Sequence, residues 1–67
     1  MTAAEFELLD ETEAEGIICW RFHELMESGF ELEDALRLAV ATQVDIHRAS
    51  DLLRRGCSPK TALRILL

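Results

Sequence analysis

Residues 22–42 read FHELMESGFELEDALRLAVAT, and the punctuation of this stretch decides the fold. Phe22, Leu25 and Met26 recur at i, i+3, i+4, the pitch of an amphipathic helix. Gly29 then stops the run, because glycine takes the left-handed conformation that ends a helix without a Cβ penalty. Phe30 follows at once, where an apolar side chain commonly closes such a stop. A second apolar stripe, Leu32, Ala35, Leu38, Ala39 and Thr42, predicts the next helix over 32–42.

Upstream, Ile18 and Cys19 extend the first stripe and predict a helix over 13–28, with Thr12 and Glu15 as a capping box. Thr2-Ala3-Ala4-Glu5 repeats that pattern before Phe6 and Leu9, so a short helix is expected near 3–9. Downstream, Asp45 is a suitable N-cap for a helix over 46–55 with Ile46, Ala49, Leu52 and Leu53 on one face. His47, Arg48, Asp51, Arg54 and Arg55 fall away from that face. Gly56 ends it. Ser58 caps a last helix with Pro59 at its first position, where the missing N–H costs nothing. Ala62, Ile65 and Leu66 are its expected buried stripe.

The sequence also repeats itself. Residues 24–30 resemble 51–57, and Ala35-Leu36-Arg37-Leu38 resembles Ala62-Leu63-Arg64-Ile65, both at an offset of 27 residues. One helix, glycine turn and helix unit therefore occurs twice, and each copy must bury its apolar face against its neighbour. The expected fold is all-α: a compact bundle of four short helices over 13–67, with residues 1–12 as an acidic arm or short helix.

The order of residues from Phe22 to Leu53 resembles the ubiquitin-associated (UBA) family. Phe22, Leu25, Ser28-Gly29-Phe30, Ala35, Leu38-Ala39, Asp45, Ala49 and Leu52-Leu53 occupy the places of its apolar positions, Met-Gly-Phe loop, helix cap and closing leucines. The resemblance implies a three-helix core, to which 57–67 add a fourth helix. It also implies a protein-binding patch at a loop and a helix end, here Gly29, Phe30 and Leu53. Ser28 stands where the family's loop Met would be, a departure that bears on ubiquitin recognition.

Composition narrows the function classes. The chain has 67 residues, net charge −6, no Tyr, three Phe and one Trp. Six acids and no base lie in 1–16, while 17–67 hold seven of each, so the net charge belongs to the arm. No apolar run approaches the roughly 18 residues of a membrane span. The acidic start lacks the basic and apolar parts of a secretory signal, which implies a cytoplasmic protein without membrane partners. Cys19 and Cys57 are expected to be free, buried thiols.

No Gly-rich phosphate loop or Ser/His/Asp arrangement is present, so no enzyme and no cofactor is expected. Cys19, His23, His47 and Cys57 match no zinc spacing, and no metal site is expected. Arg48, Arg54, Arg55, Lys60 and Arg64 enrich the C-terminal half, and the two helix-turn-helix units make a nucleic-acid-associated regulator the alternative function. The overall negative charge argues against phosphate contact.

A protein-binding module is favoured by Trp20, which points about 160° from Phe22 on an ideal helix. With Ile17 it makes a second apolar face, for a partner protein, another copy of the chain, or the arm residues Phe6, Leu8 and Leu9. The expected contact residues are Ile17 and Trp20 on one side and Gly29, Phe30 and Leu53 on the other, with Arg54 and Arg55 steering at the rim.

Overall fold

A computed structural model describes residues 2–67 as five helices: α1 (Ala3–Glu7), α2 (Glu11–Ser28), α3 (Leu32–Val40), α4 (Ile46–Arg54) and α5 (Pro59–Leu66). No strand occurs among the described residues. Helix α2 packs on both α3 and α4, and α5 packs on α4. Leu25, Leu38 and Ala49 form the centre, with Phe30, Ala35, Ala39, Val44, Ile46, Ala62 and Leu63 around them. Phe22 and Leu52 close the edges, so the apolar stripes of α2, α3 and α4 meet as expected.

Local chemistry accounts for most boundaries. Thr2 accepts from the backbone N–H of Glu5 at 3.1 Å, and Ser58 accepts from that of Thr61 at 3.3 Å. Asp45 accepts from that of His47 at 2.8 Å. Helix α2 begins two residues earlier than expected, because Asp10 is the cap in place of Thr12; its Oδ1 accepts from the Glu13 N–H at 2.8 Å. Asp and Thr both cap well, and the earlier start gains further helical hydrogen bonds.

The repeat is real as local structure. Gly29 (φ 119°) and Gly56 (φ 96°) are both left-handed, and the residue after each donates to the carbonyl five back, Phe30 to Leu25 and Cys57 to Leu52. These are paired Schellman stops. The second helices diverge, however. Leu38 is buried and Leu36 exposed, but the equivalent Ile65 is 51% exposed and Leu63 only 7%. Helix α5 packs through Ala62, Leu63 and Leu66, a face about 100° from Ile65, which corrects the expected stripe. An ion pair between Lys60 Nζ and Asp34 Oδ2 (2.7 Å) ties its first turn to α3.

Helix α2, about 27 Å long by helical rise, outreaches the bundle. Its buried face centres on Leu25 and includes Arg21, which puts Cys19 about 120° and Met26 about 100° away. Cys19 and Met26 are therefore exposed rather than buried, and Cys57 is half-buried; both thiols are free. Leu32 is likewise exposed, since the side chain of a first helical residue tilts beyond the helix end. Ser28 bridges α2 to α4: its hydroxyl donates to the Glu24 carbonyl (2.9 Å) and lies 2.6 Å from Ser50 Oγ. The single Ser28 proton being spent, Ser50 donates the second bond.

Candidate functional site

Helix α3 ends at Val40 rather than at residue 42, and the reason is a buried arginine. Arg21, 5% exposed, reaches from α2 to the end of α3. Its Nε donates to the Ala39 carbonyl at 3.0 Å. Its Nη2 lies 3.2, 3.1 and 2.7 Å from the carbonyls of Leu38, Ala41 and Val44. The Leu38 and Ala39 carbonyls belong to the last turn of α3, where intrahelical donors run out. A guanidinium there also complements the negative end of the helix dipole. Burial lowers the Arg21 pKa from its ordinary value, and the charge of Asp45 opposes that effect. This clamp sets the α3–α4 turn and with it the start of α4.

One consequence is a cleft between the middle of α2 and the start of α4. Its volume is about 250 Å³, and Ile17, Trp20, Arg21, Asp45, Ile46 and His47 line it. Trp20 is 52% exposed. No arm residue lines it: Phe6 and Leu9 are half-buried elsewhere than in its lining, and Leu8 is 87% exposed. Ile17 and Trp20, paired by their spacing, do share a wall. The opposite wall, Asp45, Ile46 and His47, was not legible as part of a site, because the Arg21-set turn brings it there. Arg21 itself lies one turn from Ile17 and one turn from Leu25. Its place on the apolar stripe was the available signal.

The second expected patch is dispersed. Phe30 is buried in the core beneath the Gly29 turn, so its ring offers no surface to a partner. Gly29 is exposed and abuts half-buried Leu53; a Cβ on Gly29 would sit 3.6 Å from Leu53 Cδ1. Arg54 is exposed, and Arg55 pairs with Asp51 at 2.9 Å. Gly29 lies nine residues beyond Trp20, roughly 13 Å along the helix, so the patches are separate. Of the bases on the last helix, Lys60 is held by Asp34 and lies 3.8 Å from Glu31, leaving Arg64 outward. Among the described residues no cluster of His, Cys, Asp or Glu could hold a metal ion. No helix among the described residues is long and apolar enough to cross a membrane. Neither a family model, nor a characterised relative, nor a solved structure matches this chain.

Proposed function

We propose that the chain is a non-catalytic protein–protein interaction module that uses the Ile17–Trp20 cleft as its principal contact. The observation that carries this is a half-exposed tryptophan beside a formed apolar cleft that the chain's own arm leaves open. Tryptophan is enriched at interface centres, and its truncation there commonly costs 2 kcal/mol or more of binding. Ile17 and Ile46 supply apolar walls, while Asp45 and His47 supply polar groups that fix orientation. A UBA-like core of α2, α3 and α4 is the fold reading that accompanies this function. The left-handed Gly29 and its contact with Leu53 support that reading. Gly29, Leu53 and Arg54 form the secondary contact, with Phe30 acting from beneath as packing.

Trp20→Ala is the test. The variant should keep its helical circular dichroism and unfolding midpoint, because Trp20 is about half exposed and lies outside the core cluster. Quantitative capture from the source cell should show a discrete set of proteins held by the wild-type chain and lost with the variant. An unchanged set, or collapse of the fold, would overturn the assignment.

A further inference from the structure

Helix α3 carries apolar side chains on two faces. Ala35, Leu38 and Ala39 are buried in the core. Leu32, Leu36 and Val40 recur at i, i+4, i+8 and form a row about 110° away. They are 59%, 49% and 60% exposed. Single exposed leucines are ordinary, but a continuous apolar row on one helix marks an interaction surface. The repeat supplies an internal comparison. The counterpart of Leu36 in α5 is Leu63, which the chain's own core covers, whereas Leu36 has no such cover.

Two features of the row say what covers it. The first is symmetry: four residues separate Leu36 from a branched aliphatic side chain on either side. A second α3 laid antiparallel presents the same row, with Leu36 beside its counterpart and Leu32 opposite Val40 of the second copy. The second feature is charge. Glu33 and Arg37 lie along one edge of the row, and neither forms an ion pair within the chain among the described residues. An antiparallel two-fold axis sets this edge against the same edge of the other copy. Each Glu33 then lies next to Arg37 of the other copy, displaced by two residues or about 3 Å along the helix. In a parallel pair the edge would instead meet the flank on which Ala35 and Ala39 are already packed. Edge charges of this kind set partner and orientation in paired helices. Residues 17–67 hold seven acids and seven bases, so no net charge on the body opposes the approach.

We infer that the chain pairs with a second copy of itself through α3, antiparallel about a two-fold axis at Leu36. A face of nine helical residues is smaller than a standard interface, so the pair is weak and reversible. The Trp20 cleft opens toward α4 and contains none of these residues, so either surface can fail alone.

The test is sedimentation equilibrium of the full chain from micromolar to millimolar concentration, where the mass should move from one chain toward two. Leu36→Gln leaves the charge unchanged and should weaken association at least about tenfold by removing the apolar contact on the axis. Glu33→Arg and Arg37→Glu each set like charges together at both edge contacts and should weaken it by a similar factor. An equimolar mixture of these two charge variants should pair more tightly than either alone, with one chain of each kind, because every edge contact then joins opposite charges. All three side chains are exposed, so helical circular dichroism should be unchanged. Leu36→Gln decides the case if a charge variant loses helix. A one-chain mass at millimolar concentration would overturn the inference, as would a dimer indifferent to Leu36→Gln or a mixture that gains nothing over its components.

Discussion

Replacing Arg21 with Met should bring this chain close to unfolding. Three guanidinium protons, one on Nε and two on Nη2, serve the carbonyls of Leu38, Ala39, Ala41 and Val44. Hydrogen bonds to a charged group contribute about 1.5–3 kcal/mol each, for a gross gain of about 4–9 kcal/mol. Desolvating the cation offsets several kcal/mol of that. Replacing a buried ion pair with apolar side chains can be neutral, because both charged partners leave together. Here the acceptors are backbone carbonyls and cannot be removed. Met fills the volume but leaves at least two buried acceptors to water or to nothing, at about 1–3 kcal/mol apiece.

The expected loss is about 3–5 kcal/mol, against a total of about 3–10 kcal/mol for a chain of this length. Arg21→Lys should lie between, since an ammonium reaches fewer of these carbonyls at once. Urea unfolding followed by circular dichroism and by Trp20 fluorescence measures the loss. Trp20 is the sole tryptophan, and tyrosine is absent. Arg55→Met, which breaks an exposed pair with Asp51, is the control and should change stability by under about 1 kcal/mol. If Arg21→Met were no more harmful than that control, the clamp would not be what holds α3 to α4.

Gly16 sits within α2, and a Cβ added there would meet nothing within 4 Å, so Gly16→Ala should raise stability by about 0.5–1 kcal/mol in the same urea assay. Ser50→Ala removes the donor to Ser28 and should cost about 1 kcal/mol; a double-mutant cycle with Ser28→Ala should give less than the sum of the two single losses. The hydrogen bond from Lys60 to Asp34, reinforced by the charges of Asp34, Glu31 and Glu33, raises the Lys60 pKa above its ordinary value. The stabilisation it lends is therefore complete below the ordinary lysine pKa and lost as pH rises through the higher folded value. Amide exchange in α5 should accelerate at that alkaline limit in the wild type, and Lys60→Met should abolish the step.

Much of the fold was present in the order of residues alone. Apolar spacing placed α2 to α5 to within two residues, because helix periodicity and the chemistry of caps and stops act over a single turn. Thr2, Asp45, Ser58, Gly29 and Gly56 did what their side chains, or lack of them, require. Ile17 and Trp20 were legible as a second face for the same reason. Tertiary structure decided what local rules cannot reach. It chose which side of α5 turns inward, so that Leu63 is covered and Ile65 is not, although the repeat pairs Ile65 with buried Leu38 and Leu63 with exposed Leu36. It put Phe30 in the core and Cys19 in solvent by rotating α2 toward Arg21. It also made an arginine the anchor of the α3–α4 turn, through acceptors 17 to 23 residues away. A periodic pattern states that a side chain leaves water; only the closed bundle determines which neighbour receives it.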